Sequence, residues 1–407
     1  MSLDGDPMPE QAETVVIGAG LVGCSIAYQL AKRGRQVLVL EARGVCSGAS
    51  GRNGGMTGAG SALHAAAGKA VYSLTRENLR MLSEELPREL GDDFSLRLSG
   101  TLDLATTEEQ YDHLVTSVRA QQVHGLAVRL LDRHEVRELV PVASDRILGA
   151  RLSEEGGHLW PFRLVHALAR GAQYHGARIV TWTPVTRIVS ENGRVVGVET
   201  PRGRIEAGSV IVATNAWAPT LLPDLPEGAL VPARGQILVT EPVAPVLPYP
   251  FGTNFDKEYG RQTPTGQVLC GGYRRLDENE GLGLYEEKVT PPVLQGIAHT
   301  LATLFPPLRR LRVVRAWAGI MGFTADGLPL LGAYGSVHGL YVAAGFNGGG
   351  FSWGAAVGKA MAQLLCLGQS AFDLEPFDPN RFARGGVTWA NPFTAGERTT
   401  SRAPRPS

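Results

Sequence analysis

Apolar residues Val15 to Ile17 run into Gly18-Ala19-Gly20-Leu21-Val22-Gly23, after which the apolar positions take helical spacing at Val22, Ile26 and Leu30. A short continuous run reads as a buried strand and a helical period as an amphipathic helix, so the stretch predicts strand, tight turn and helix. Gly34 stops that helix, and a second apolar run, Val37 to Leu40, ends at Glu41. Downstream, a helical pattern from Pro161 to Ala177 precedes the strand "RIVTW". A hairpin follows, with Asn192-Gly193 as its two-residue turn, and then the strand "SVIVATNAW". Near the end, "GLYVAAGFNGGGFSWGAAVGKAMAQLL" repeats strand, glycine turn and helix.

These patterns predict an α/β chain (α+β overall), with a Rossmann-type dinucleotide-binding domain and an inserted mixed-sheet domain. Segments 13–85, 146–230 and 313–384 are expected to form the discontinuous nucleotide-binding domain. Segments 86–145 and 231–312 are expected to form the second, substrate-binding layer: "SGTLDLAT", "RGQILVTEP" and "GQVLCGGYRR" alternate like strands, and "TEEQYDHLVTSVRAQQV" is amphipathic. The polar ends, 1–12 and 386–407, are expected to be disordered.

Composition narrows the function class. With 407 residues, 43% of them hydrophobic, the chain is long enough for two domains or one large, elaborated one, with a sizeable core. Thirty-nine basic residues balance thirty-nine acidic ones, which leaves no electrostatic footprint for nucleic acid or an anionic membrane. Cys24, Cys46, Cys270 and Cys366 are scattered, a spacing that favours neither a disulfide framework nor a metal site. The acidic N-terminus lacks a signal-peptide pattern and no run of membrane-spanning length occurs, so a soluble, cytoplasmic protein is expected.

The glycine turn has a physical task at each position. Gly18 makes the tight turn, Gly20 lets the backbone approach a pyrophosphate, and Gly23 lets helix and strand pack closely. Leu21 and Val22 open the helix whose free N–H groups would face the phosphates. Glu41 lies 23 residues beyond Gly18, near the spacing for a carboxylate that accepts ribose hydroxyls. Ala42 and Arg43 follow it, and then comes a polar, glycine-rich stretch, "GVCSGASGRNGGM". Its small residues Ser47, Ala49, Ser50, Gly54 and Gly55 would let backbone lie along a flat ring, with side-chain contacts from Arg52, Asn53 and Met56. Two more glycine or polar turns close strands: Ala213, Thr214 and Trp217 in "ATNAW", and Gly345, Asn347, Gly348, Gly349 and Gly350 in "GFNGGGFS". The second would put a positive helix end at a reduced flavin's N1/O2 edge. A nicotinamide cofactor needs one such turn; a cofactor long enough to touch all of them is FAD.

With these motifs the chain resembles the D-amino-acid-oxidase-like flavoproteins. The resemblance rests on "VVIGAGLVGCSIAYQLAKRGRQVLVLEA", "SGASGRNGG", "IVATNAWAP", "WAGIMGFTADGLPLLG" and "YVAAGFNGGGF". It implies FAD extended under a mixed-sheet substrate domain and oxidation of a C–N bond by hydride transfer to flavin N5, giving an imine that hydrolyses. No protein side chain need act as a strong base. It also implies that Val185 presents its backbone to the adenine and that Gly319 lines the isoalloxazine.

The chain departs from the family at the substrate end. Relatives hold the substrate carboxylate with an arginine in a "GLRP" segment, where this chain has Gly319-Ile320-Met321-Gly322. A lysine position after the last glycine turn corresponds to Ser352. The substrate is therefore expected to be an amine without a free α-carboxylate, or a larger one anchored elsewhere. Arg52, Arg274 and Arg275 are the available cations; the last two are adjacent on an expected strand, so only one can face the pocket. Met56, Tyr259, Tyr273, Met321, Phe351 and Trp353 are the other pocket candidates, and His64 is more readily structural. The cysteine position used for covalent attachment in some relatives falls near Gly319, so FAD is expected to be non-covalent. Oxygen or another acceptor is expected to take the electrons. The alternatives are an FAD-dependent 2-hydroxy acid or polyol dehydrogenase, for which no histidine falls in the last two motifs, and a non-catalytic flavoprotein or partner subunit.

Overall fold

The computed structural model describes residues 8–59, 68–253 and 258–390. His64 and the ends 1–7 and 391–407 lie outside the described residues.

Among the described residues, one eight-stranded sheet carries the nucleotide-binding pattern, in the order Leu330–Ala333, Leu340–Ala344, Gly203–Val212, Gln11–Ile17, Val37–Leu40, Arg178–Val180. The hairpin Arg187–Glu191 and Arg194–Thr200 extends from Gly203–Val212, and its Asn192 and Gly193 both take positive φ, 50° and 72°. Pairing is parallel through the centre: Val16 faces Ile211 on one side and Val39 on the other, and Val212 faces Val342. Strand side chains alternate between faces. Val16, Val39, Ile211 and Ala343 thus enter one core, and Val15, Ile17, Leu38, Leu40, Val210 and Val212 enter the other. A sheet covered on both faces needs apolar residues at every position, which explains the unbroken runs. Helix Leu21–Ala31 packs against Gly354–Leu367, where Ser25 Oγ donates to the Ala355 carbonyl at 3.3 Å.

The second eight-stranded sheet runs Val313–Thr324, Leu230–Pro242, Gln267–Gly271, Tyr259–Gln262, Phe251–Gly252, Thr101–Ala105, Gly149–Ser153, Val128–Asp132. Helix Pro291–Leu304 covers it. Two of its strands fall inside segments expected in the nucleotide-binding domain. Gly149–Ser153 pairs with both Thr101–Ala105 and Val128–Asp132, and Val313–Thr324 pairs with Leu230–Pro242 from Leu230↔Thr324 to Thr240↔Val313. The limits at 146 and 313 therefore differ from sheet membership, because apolar alternation states that a strand exists without naming its partner. A two-stranded ribbon, Met56–Gly58 with Gly156–His158, lies between the sheets in sequence.

Residues 8–12 and 386–390, the described parts of the expected tails, are tied to the body of the protein. Gln11 and Ala12 pair with Glu206 and Ala207, and the Ala390 N–H donates to the Ala325 carbonyl at 2.8 Å while Val387 and Trp389 pack on the second core.

A buried ionic network fixes the segment between Gln267–Gly271 and Pro291–Leu304. Arg234 grips Asp277 with two hydrogen bonds, 2.8 and 2.6 Å, and Gln236 bridges Asp277 to Thr290 at 3.0 Å each. Removing one partner of a buried pair leaves the other charge unsatisfied, at about 3–5 kcal/mol. Arg234→Met should therefore lower the urea midpoint by a loss of that size, and an unchanged midpoint would show that solvent reaches Asp277.

Candidate cofactor and active site

The carboxyl ends of Gln11–Ile17, Val37–Leu40, Gly203–Val212 and Leu340–Ala344 meet on one edge of the first sheet and deliver Gly18, Glu41, Ala213 and Gly345. Ligands of open α/β sheets bind at such an edge. Here it opens into a cavity of about 930 Å³ that continues to the second sheet. That volume is at the upper end for ligand sites, as a dinucleotide plus a small substrate requires.

The glycine turn is built as a cradle. Gly18 has φ +105°, and a Cβ on it would lie 2.9 Å from the Ala213 carbonyl oxygen; a Cβ on Gly23 would lie 1.9 Å from the Gly18 carbonyl oxygen. Gly23 itself does not line the cavity, as expected for a packing glycine, whereas Gly18, Gly20, Leu21 and Val22 do. Glu41 lines it too, and its carboxylate accepts the Ala19 and Arg43 N–H groups, both at 2.8 Å, which orients it at the strand end. Ser50 Oγ accepts the Leu21 N–H at 2.9 Å, and its own hydroxyl proton remains for a bound anion.

Within the loop after Glu41, residues Ala42, Arg43, Ala49, Ser50, Arg52, Asn53, Gly54 and Met56 line the cavity, and Ser47 and Gly55 do not. A Cβ on Gly55 would meet the Leu159 carbonyl at 2.3 Å, so that glycine serves packing. The side chain of Asn53 is spent on its own loop: Nδ2 donates to the Ala49 and Ser50 carbonyls and Oδ1 accepts the Gly55 N–H. Arg52 is committed as well, to the Ser47 and Ala318 carbonyls and, at 2.9 Å, to Glu287, which also pairs with Arg43 at 2.9 Å.

The two remaining turns are tied to each other by a residue the sequence reading passed over. Asn215 Oδ1 accepts the Gly345 and Phe346 N–H groups at 2.9 and 3.3 Å. Asn215 lies between Thr214 and Trp217, both of which line the cavity with Ala213 and Val185, so the motif contained the signal. Asn347 Nδ2 donates to the Gly345 carbonyl at 2.7 Å, and Gly345 is a turn residue (φ +75°) behind the cavity wall formed by Asn347, Gly348, Gly349 and Gly350. Thr57 and the buried Asn78 both donate to the Phe351 carbonyl, at 2.9 and 3.0 Å, and Asn78 Oδ1 accepts the Ala355 N–H at 2.9 Å. Helix Gly354–Leu367 therefore starts at a fixed place against the cavity.

At the substrate end Met56, Tyr259, Gly319, Met321, Phe351 and Trp353 line the cavity, and so does Arg274. Arg274 is 7% exposed, and its guanidinium lies 4.9 Å from the centre of the Phe323 ring. Phe323 and Met321 lie on the same strand, and a Cβ on Gly348 would be 3.5 Å from Met321 Sδ and 3.9 Å from Phe323 Cζ. Arg274 thus belongs to the same corner as the methionine. Arg274 and Arg275 lie on a 3₁₀ turn, Arg274–Leu276, and not on a strand. The preceding Tyr273 has φ +55°, which ends the strand early and turns its ring under Arg275 at 4.2 Å; neither Tyr273 nor Arg275 lines the cavity. None of the cysteines lines it either. Glu287 and Tyr285, whose hydroxyl donates to the Ala216 carbonyl at 3.0 Å, reach the cavity from a loop with no sequence signal.

Behind the Met56 strand, His158 pairs with Met56 and its Nδ1 lies 3.3 Å from Arg261 Nη1. Burial, together with the charges of Arg261 and Arg97, pulls its pKa down to about 4. The unfolded chain then binds a proton at higher pH than the folded one, so stability rises with pH across this interval. Between about pH 6.5 and pH 4 the wild type should lose stability faster than His158→Gln. Chemical unfolding curves across that range give the two slopes; parallel slopes would place the His158 ring in water.

The donor set, the cradle that side chains would fill and the cavity's volume suit FAD. Comparison with known proteins agrees. The family described as DAO, FAD dependent oxidoreductase, matches residues 13–364. Glycine oxidase of Geobacillus kaustophilus is 30% identical over 383 residues, 92% of this chain and 98% of that protein. Sarcosine oxidase subunit beta of Rhodobacter capsulatus is 30% identical over 390 residues, 93% of this chain and 91% of that protein. Among solved structures, L-proline dehydrogenase from P. horikoshii superposes with a TM-score of 0.84 at 29% identity, covering 93% of this chain and all of that one (100%). Among the described residues no helix is long and apolar enough to cross a membrane. The chain belongs to the DAO family of FAD-dependent oxidoreductases.

Proposed function

We propose that the chain oxidises the C–N bond of an amino-acid-like amine, with Arg274 holding the substrate carboxylate. The observation that carries this reading is the position of Arg274: buried, in the cavity wall, and in the corner where Met321 replaces the expected arginine. Of the three cations considered from sequence, Arg52 is held by Glu287 and two carbonyls, and Arg275 stacks on Tyr273 outside the cavity. The names of the relatives, a glycine oxidase, a sarcosine oxidase subunit and an L-proline dehydrogenase, support an amine over a hydroxy acid.

FAD, when bound, supplies the acceptor for the two electrons of the C–H bond. The chain's own residues do the rest by positioning. Gly18, Gly20, Glu41 and Ser50 receive the adenosine and pyrophosphate, and Gly348 to Gly350 with the backbone of Gly319 border the space for the ring. Arg274 orients the substrate carbon by its carboxylate, and Tyr259, Met321 and Phe323 exclude water around the amine. Burial pushes the Tyr259 phenol well above its ordinary pKa, so it stays protonated and adds no negative charge beside the carboxylate.

Anaerobic titration of the yellow protein tests the reading. Glycine, sarcosine and proline should be compared with amines that lack a carboxylate and with 2-hydroxy acids. Loss of flavin absorbance with at least one amino acid is expected, with release of ammonia or amine from an open-chain substrate, or a cyclic imine and its ring-opened aldehyde from proline. Bleaching by carboxylate-free amines alone would remove the role of Arg274, and bleaching by hydroxy acids alone would remove C–N oxidation.

A further inference from the structure

Arg261 is 7% exposed and lies on strand Tyr259–Gln262, one strand position pair beyond Tyr259 and on the same face. Tyr259 lines the cavity; Arg261 does not, but its Nε–H donates to the carbonyl of Gly54, which does. Its other nitrogens meet the Leu159 carbonyl at 3.4 Å and the His158 ring at 3.3 Å. All three partners are uncharged, since His158 is held neutral in this setting. Two carboxylates on the cavity wall have other partners: Asp103 pairs with Arg151, and Glu258 accepts the Thr253 hydroxyl at 3.0 Å. Burial draws the guanidinium's pKa down to about 10, which leaves it charged at neutral pH. A buried charge met only by neutral acceptors is costly, and carbonyl dipoles offset only part of that cost. Such a charge is best matched by a negative charge that arrives during function.

We propose that Arg261 is an electrostatic positioning residue: its fixed positive charge, one peptide behind the cavity wall at Gly54, favours negative charge arriving on the flavin ring. This rests on the assignment of the cavity to FAD. A preorganised charge in a water-poor site acts without reorganisation at the moment of reaction. The Gly54 carbonyl fixes where that charge sits, and the neutral His158 keeps the cluster at a single positive charge.

Sulfite tests this without turnover. Its sulfur lone pair bonds to flavin N5, and the displaced electron pair becomes negative charge across the ring. Arg261→Gln keeps hydrogen-bonding capacity and removes the charge; Arg261→Lys keeps the charge and removes the planar fork. The Gln variant should bind sulfite at least tenfold more weakly, about 1.4 kcal/mol, and its flavin should have a lower reduction potential. The Lys variant should stay within about threefold of wild type. Wild-type sulfite affinity in a folded, flavin-loaded Gln variant overturns the proposal. Should the Gln variant fail to fold, the Lys variant decides: retained affinity supports the charge, and lost affinity assigns Arg261 to architecture alone. A wild-type chain that takes up no flavin would count against the cofactor assignment itself, before any variant is compared.

Discussion

Arg274→Met should lower kcat/KM for the best amino-acid substrate by about 10²–10³-fold, mostly through KM. Removing the partner of a buried carboxylate costs about 3–5 kcal/mol, and each 1.4 kcal/mol is a factor of ten. The loss should be confined to substrates with a carboxylate: an amine of the same shape without one should be oxidised no more slowly by the variant than by the wild type. Arg274→Lys should recover part of the loss, because an ammonium retains the charge but not the planar pair of donors. The guanidinium lies over the Phe323 ring, 4.9 Å from its centre, a contact in which a lysine cannot offer the same flat group. Equal losses for both substrate types would make Arg274 a packing residue.

The second large effect concerns Gly23. Gly23→Ala brings a methyl group to 1.9 Å from the Gly18 carbonyl oxygen, a backbone atom that no rotamer change can move away. Overpacking of a tight contact costs about 1–3 kcal/mol and occasionally more, and here relief requires moving the strand end that forms the cradle. The variant should therefore purify with little flavin and a lowered thermal midpoint. Gly34→Ala is the matched control: φ is +79°, but nothing lies within 4 Å of the added carbon, so only the backbone penalty of about 1–2 kcal/mol applies. Its flavin content should equal that of the wild type. A yellow Gly23→Ala protein with an unchanged midpoint would mean that the first turn tolerates a wider separation of helix and strand.

The nucleotide-binding half was legible because its requirements are local. A parallel strand covered on both faces must be apolar throughout, as Val15 to Ile17 and Val37 to Leu40 are. A strand-to-helix turn against a phosphate must shed its Cβ atoms, as at Gly18 and Gly20. The loop residues were legible in position and less so in role. Asn53 and Arg52 were expected to reach the cofactor; both line the cavity, while their polar side-chain atoms also bond to the loop's own carbonyls and to Glu287. A short polar loop near a buried site must satisfy its backbone before it can serve a ligand.

Taken alone, the sequence determined which stretches turn tightly and which helices begin at those turns. These properties follow from backbone sterics within a few residues. Only the tertiary structure decided that Val313–Thr324 belongs to the second sheet, that Arg274 and not Arg275 faces the cavity, and that Glu287 and Arg261 stand beside the site. Strand pairing and charge pairing join residues far apart in the chain, through contacts whose energy depends on burial and distance; neither quantity is written in local order.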